Sequence, residues 1–408
     1  MAPRTVLVTG LGGAGRTTVA AATALAATRR GDRTLLLTAD APAAGVLLGA
    51  APGPGAAEPA RVLDGLWAAR IDSADHFRTE LLALQERIAP ALDLLGAPRL
   101  RGEELTELPG SDRFALLHAL RVAGSGDWDA LVVDLPPLPD ALAALSLPGE
   151  LRRYLRRLLP RERQAARALR PVMAQLAGVP LPAPWLYEAA ARKDTELAAA
   201  QLLIEDAATS VRLVVEPGPA AEEALRTART GLALHGLRAD ALIAAKVLPP
   251  ADGHPWLTAA TARQRDSIDA WRGDPGAWPA VHELPHLGRE PRGPGDLAEF
   301  DVPAPGEGAV AGEPGTRADD PWWVEDLRAT DGLLVWCLPL PGAVKGELSL
   351  VRREHELLLT VGPFRRIVPL SSALRRCTVA GAALTEGVLR VRFAPDPGLW
   401  PKDGTAGA

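Results

Sequence analysis

Nine residues near the start of the chain, Gly10-Leu11-Gly12-Gly13-Ala14-Gly15-Arg16-Thr17-Thr18, have the make-up of a phosphate-binding loop. Glycines let backbone N–H groups converge on an anion with no Cβ in the way, and the positive end of a following helix adds to the attraction. Gly10, Gly15 and Thr17 fit the spacing G-x-x-x-x-G-K-[ST], with Arg16 where that pattern has lysine. A second sequence match, His282-Glu283-Leu284-Pro285-His286, has the H-E-x-x-H spacing of a zinc protease. That chemistry needs both histidines on one helix face, and Pro285 sits inside the helix it would require.

The loop works only between a strand and a helix, and the sequence supplies both. The apolar run Thr5–Val8 precedes it, and the alanine-rich run Val19–Ala27 follows it. Further short apolar runs, Arg33–Leu37, Leu66–Ile71, Ala130–Val133, Val211–Val215 and Ala241–Val247, alternate with longer helical patterns. Continuous apolar runs with helices between them predict a parallel sheet covered on both faces. Ligands bind such sheets at the carboxyl ends of the strands, where Gly10, Asp40 and Asp134 fall. The fold class expected is therefore α/β, a P-loop NTPase with a parallel sheet over residues 1–300.

Within it, residues 147–206 read as a helical insertion without strands. Leu151, Tyr154, Leu155, Leu158 and Leu159 form one helical face, and Arg152, Arg153, Arg156 and Arg157 lie opposite, continued by Arg161, Arg163, Arg167 and Arg170. Such a face reads as solvated in preference to a surface for an anionic partner. Residues 301–320 turn to Pro, Gly, Ala and acidic residues and read as a linker. Beyond them Leu333–Leu338, Glu347–Val351, Glu356–Val361, Arg365–Leu370, Cys377–Ala383 and Val388–Phe393 are short strands separated by turns. They predict a small all-β sandwich over residues 321–395, with a tail at 396–408.

At 408 residues the chain exceeds what one hydrophobic core fills, and its 47% apolar and 23% charged content is that of a globular protein. A net charge of −5 gives no reason to expect nucleic acid as a partner. No apolar run is long enough for an integral membrane segment, and Met1-Ala2-Pro3-Arg4 leads into a strand rather than a signal peptide, so the expectation is cytoplasmic. Two cysteines forty residues apart, Cys337 and Cys377, make neither a disulfide framework nor a zinc pair. The only lysines are Lys193, Lys246, Lys345 and Lys402.

The chain resembles the ArsA family of arsenical pump-driving and tail-anchored-protein-targeting ATPases, whose loop reads G-K-G-G-x-G-K-T-T. The resemblance runs through GLGGAGRTTVAAATALA, LLLTADAPAA, WAARIDSADHF, DWDALVVDLPPLPDALAALSLPGELRRYLRRLLP, SVRLVVEP, AKVLPP and LPHLGREPRG. The tail is similar to the α-crystallin-like domain carried by some bacterial members. The resemblance implies ATP or ADP with Mg²⁺ as cofactors and a dimer as the working assembly. It places Gly10, Gly12, Gly13, Ala14, Gly15, Arg16, Thr17 and Thr18 around the phosphates. It places Thr17 and Asp134 at Mg²⁺, Asp40 at the attacking water, and Pro285 and Glu290 in the adenine-side turn.

The departures from that pattern decide the functional expectation. Leu11 stands for the lysine that reaches across the dimer to the partner's phosphates, and Arg16 for the loop lysine, with a larger planar fork that would push into the loop's space. The second switch, D-T-A-P-T-G-H-T in the family, reads Asp134-Leu135-Pro136-Pro137-Leu138-Pro139-Asp140-Ala141, and Ala245 replaces the adenine-reading asparagine. One missing cationic finger costs about 10³–10⁵ in phosphoryl-transfer rate. The expectation is a weakly nucleotide-binding protein with weakened or lost hydrolysis, a regulatory or chaperone-like partner. It would form a homodimer, or a heterodimer with an ArsA-type paralogue, with a protein client as a further partner. The alternatives are an active ATPase that tolerates Arg16, and an apolar-peptide binding module on a vestigial nucleotide fold.

Overall fold

A computed structural model describes residues 2–94, 96–159, 184–250, 254–274, 278–307 and 312–400. Residues 160–183, which include Arg161, Arg163, Arg167 and Arg170 of the expected arginine face, lie outside the described residues.

Eight strands form one sheet in the order β3-β4-β2-β5-β1-β6-β7-β8. They are β1 (Arg4–Gly10), β2 (Thr34–Thr38), β3 (Ala60–Leu63), β4 (Leu66–Arg70), β5 (Ala130–Asp134), β6 (Thr209–Val215), β7 (Ala239–Val247) and β8 (Val281–Pro285). All neighbours are parallel except the edge hairpin β3–β4. β2, β5 and β6 are buried along their whole length, as strands covered on both faces must be. Helix α1 (Arg16–Arg29) lies against the sheet through Val19, Ala20, Ala21, Ala22, Ala24 and Ala27, whose small side chains allow a close approach. The order puts β1 between β5 and β6, so the turn after β1 opens at the centre of the sheet's carboxyl edge.

The remaining α-helices among the described residues through 300 are α2 (Ala41–Leu48), α3 (Ser73–Arg87), α4 (Ala89–Leu94), α5 (Ser111–Gly124), α6 (Asp140–Leu158), α7 (Pro184–Ile204), α8 (Pro219–His235), α9 (Pro255–Gly273) and α10 (Gly293–Leu297). No strand interrupts the described part of residues 147–206. No described helix is long and apolar enough to cross a membrane.

Beyond residue 320, β14-β15-β10-β9 and β11-β12-β13 form two antiparallel sheets. The strands are β9 (Trp323–Leu327), β10 (Leu333–Pro339), β11 (Leu348–Arg353), β12 (Glu356–Val361), β13 (Phe364–Pro369), β14 (Cys377–Thr385) and β15 (Val388–Pro395), with a short helix α11 (Ser372–Arg375) before β14. In β15, Leu389, Val391 and Phe393 are buried while Arg390 and Arg392 are exposed, the alternation expected of a sheet with one wet face.

This sandwich does not hang free. Arg153 of α6 forms a two-pronged ion pair with Glu356 of β12, its Nε donating at 2.8 Å, and Arg157 lies 3.5 Å from the same carboxylate. A Cβ on Gly231 of α8 would lie 2.6 Å from the end of the Leu142 side chain and 2.7 Å from the Phe364 ring, so glycine lets α6, α8 and β13 meet there without moving either. The Arg366 guanidinium donates to the Leu234 carbonyl at the end of α8. Of the four described arginines of α6, Arg152 holds Asp194 and Gln201, Arg153 and Arg157 hold the sandwich, and Arg156 is exposed. This corrects the expectation of a solvated face at Arg152, Arg153 and Arg157.

The expected linker is held down as well. The Pro303 carbonyl accepts from the fully buried Arg212, Glu307 pairs with Arg30 at 2.9 Å, and the Gly315 amide donates to Asp206. Main-chain bonds join Ala207 to Thr316 and Ala318 to Glu205.

Candidate functional site at the carboxyl ends of the central strands

The register of the sheet builds this site. Val8 of β1 and Thr38 of β2 both stand opposite Asp134 at the end of β5. Gly10 then leaves β1 so close to β6 that a Cβ would run into the Val214 carbonyl, which accepts from the Leu11 amide at 3.1 Å. The chain turns through Gly12, Gly13 and the buried Ala14, and Gly15 caps α1. Arg16, Thr17 and Thr18 form its first turn, so the expected phosphate-side residues are contiguous around one helix N-terminus.

Below the loop lies a corner of oxygen ligands. Thr17 Oγ1 donates to Asp134 Oδ2 at 2.8 Å, and Thr38 Oγ1 donates to the same oxygen at 2.9 Å. Burial pushes the Asp134 carboxyl above the ordinary aspartate range, the two hydroxyls and Arg16 oppose the rise, and the Asp40 charge adds to it. A buried carboxylate with a hydroxyl beside it is the donor set a hard cation such as Mg²⁺ takes. Asp40 enters this corner through its backbone, its amide donating to Thr38 Oγ1 at 3.0 Å. Its carboxylate caps α2 by accepting from the Ala43 amide at 3.1 Å.

The cationic side of the loop is different. The Arg16 guanidinium does not fill the loop; it donates to the carbonyl of Leu135, just past β5. Leu11 is half-buried and packs against the apolar layers on both faces of the sheet. Neither side chain reaches across the loop as a free ammonium would. The segment after Asp134 is stitched to the stem of the loop. The Leu135 amide donates to Val8, the Leu138 amide to Gly10, and Thr9 Oγ1 to the Pro136 carbonyl at 2.8 Å.

The residues expected on the adenine side fall at the end of β8 and in the turn and helix that follow it. Pro285 ends β8 opposite Val247 of β7, Glu290 is exposed in the turn that follows, and Gly293 begins α10. Because β8 is a strand, His282 and His286 cannot meet one metal as they would on a helix. Glu283 instead pairs with Arg265 at 2.9 Å and Arg272 at 2.8 Å, and His286 Nδ1 accepts from the Gly288 amide. No group of three or more potential metal-binding side chains exists among the described residues.

One residue at the rim was not among those singled out from the sequence. Lys246 Nζ donates to the Gly13 carbonyl at 2.7 Å from the far end of β7. Its rarity as one of four lysines, one position after Ala245, is the signal that could have found it.

With this geometry in place, comparison with known proteins gives a consistent answer. Residues 3–301 match the family model described as anion-transporting ATPase, ArsA, and residues 331–393 match the HSP20-like domain found in ArsA. The chain belongs to the ArsA family. Its relatives include an uncharacterized protein of Streptomyces coelicolor, 57% identical over 98% of this chain and 99% of that one. A protein of Mycobacterium tuberculosis is 33% identical over 98% and 97%. A protein of Aquifex aeolicus whose name proposes an arsenical pump-driving ATPase is 25% identical over 91% and 95%. The β-sandwich of this ArsA chain is thus of HSP20 type, the α-crystallin-like domain expected from the tail.

Proposed function

We propose that this ArsA-family chain binds a Mg²⁺-nucleotide, ATP or ADP, and hydrolyses it slowly or not at all, serving as a regulatory or chaperone-like partner. One observation carries the reading: the Thr17–Asp134–Thr38 corner is assembled, while the only cation inside the loop motif, Arg16, is bonded to the Leu135 carbonyl. In this reading the backbone of Gly10 to Thr18 cradles the phosphates, Thr17 and Asp134 hold Mg²⁺, Asp40 faces the attacking water, and Pro285 and Glu290 border the base. Mg²⁺, when bound, would neutralise phosphate charge and offset the burial of Asp134. Base selectivity is poor, because Ala245 offers no hydrogen bond to adenine.

The family's dimer gives Leu11 its consequence. A homodimer lacks the crossing lysine on both sides, whereas a heterodimer with a lysine-bearing ArsA-type paralogue receives one at this chain's site. Co-expression and size-exclusion chromatography with ATP and Mg²⁺ test that pairing; only homodimers or monomers, with no ATPase gain on mixing, count against it. Isothermal titration of Mg²⁺-ATP and Mg²⁺-ADP onto the full chain tests binding itself. Heat and a thermal shift support it, and neither at millimolar ATP would overturn it. The active-ATPase reading is favoured by the retention of Asp40 and Asp134 at adjacent strand ends. Turnover at an ordinary ATPase rate, abolished by Asp40→Asn, would establish it in place of ours.

A further inference from the structure

The loop motif holds no free ammonium, yet a lysine reaches the loop from elsewhere. Lys246 lies near the end of β7, where the register with β8 shifts between Ala244 and Val247. Such an irregularity re-aims a side chain, and these features collect beside functional sites. Its backbone is left-handed, with φ of 57°. Among the described residues the other two non-glycine positions with positive φ, Glu354 and Glu386, sit in tight turns between β11 and β12 and between β14 and β15, where that conformation is ordinary. Inside a strand it costs roughly 1–2 kcal/mol for an L-residue and persists only where the surroundings impose it.

Those surroundings are built for it. Gln264 of α9 answers the interrupted ladder on both sides of the bend, donating to the Lys246 carbonyl at 3.2 Å and accepting from the Leu248 amide at 2.8 Å. Gln264 is itself buried. The turned side chain crosses to the loop, where Nζ sits 2.7 Å from the Gly13 carbonyl oxygen and 3.8 Å from Glu216. Two-fifths of that side chain stays exposed, so Nζ can leave these oxygens without unpacking anything. It is also a lysine in a chain with only four, at a place where a compact charge on a flexible stem matters more than a planar fork.

We infer that Lys246 supplies the positive charge to the phosphates of a bound nucleoside di- or triphosphate, from β7 rather than from the loop. The inference rests on the nucleotide-binding reading and adds a mobile ammonium where Leu11 carries no charge and Arg16 is engaged by the Leu135 carbonyl. On binding, Nζ exchanges the Gly13 carbonyl for a phosphate oxygen, while Gly13 keeps its backbone donor towards the same ligand.

The test is titration of Mg²⁺-ATP, Mg²⁺-ADP and adenosine onto the full chain as wild type, Lys246→Met, Lys246→Arg and Lys246→Gly. Lys246→Met should weaken ATP and ADP by tenfold or more and leave adenosine unchanged, and Lys246→Arg should recover part of the loss. Lys246→Gly relieves the left-handed backbone, so it should melt no lower than wild type and still bind as weakly as Lys246→Met. That variant keeps the test open if Lys246→Met folds poorly. Binding by wild type with equal affinity in Lys246→Met and Lys246→Gly overturns the assignment alone. Absence of ATP and ADP binding in the wild type overturns the nucleotide reading and this inference together.

Discussion

Arginine does the same work in two distant regions of this molecule. At the interface between the parallel-sheet domain and the β-sandwich, Arg366 donates to the last turn of α8 and Arg153 grips Glu356 with both prongs. At the loop, Arg16 likewise donates to a main-chain carbonyl, that of Leu135. A rigid guanidinium fork suits planar carboxylates and fixed carbonyls, and both regions use it to hold structure. A phosphate chain asks for something else, a small charge that can move with the ligand. The interface gains from arginine, whereas at the loop the Arg16 fork is engaged by a main-chain carbonyl.

That contrast breaks first on rate. Turnover of Mg²⁺-ATP should lie about 10³-fold or more below that of a lysine-bearing ArsA protein, and Arg16→Lys alone should recover less than about tenfold, since Leu11 still offers no charge. A steady-state phosphate-release assay reads both. The oxygen corner should remain responsive. Thr17→Ala should cost about tenfold to a hundredfold in Mg²⁺-dependent nucleotide affinity, measured by titration with and without Mg²⁺.

At the interface the sharpest probe is pH. His235, edge-on to Phe364, has its pKa lowered from 6.5 to about 3, by burial first and then by the nearby Arg366 charge. Between those values the unfolded chain takes up a proton that the folded one refuses, so stability is full above pH 6.5 and falls as the pH drops towards about 3. At pH 5 wild type should have lost roughly 2 kcal/mol that His235→Gln does not lose. Because His76, His118 and His282 also have lowered pKa values, the comparison is between the two melting curves and not within one.

Glu356→Ala should cost about 1 kcal/mol, with faster hydrogen exchange in β12 and α6, since the pair is only partly sheltered from water. The smallest effect has the opposite sign. Burial raises the Asp134 pKa, so its ionised form opposes folding at neutral pH, and Asp134→Asn should melt slightly higher than wild type without nucleotide while losing its response to Mg²⁺.

How much of this was legible in the sequence depends on how far apart the partners lie. The loop was readable because its residues are contiguous, and the central strands because they are unbroken apolar runs. β3, β8 and β9 went unread. β3 is four residues long, with the Asp64-Gly65 turn before β4 as its one signal. β8 carries His282 and Glu283 and was seen only as a turn and a false zinc motif. β9 has no sustained alternation, with Trp323 and Val324 both exposed. The arginine face of α6 looked solvated because its partners, Asp194, Glu354 and Glu356, are separated from it by dozens to some two hundred positions. Leu11 and Arg16 could be read as departures, but where each side chain goes instead required the packed sheet.

The pinned segment between residues 301 and 320 has a consequence for how the sandwich stays in place. It is fixed near its start by Arg212 and Arg30 and again by Glu205, Asp206 and Ala207, just before the chain enters β9. A tether immobilised at both ends gives its cargo a very high effective concentration at one spot, because almost no loop entropy remains to be lost on docking. The Arg153–Glu356 pair, the Arg366–Leu234 bond and the apolar packing around Phe364 then hold the sandwich against α6 and α8 without loss to dilution. Cleaving that tether would turn the same contacts into an ordinary bimolecular interface, diluted by the bulk.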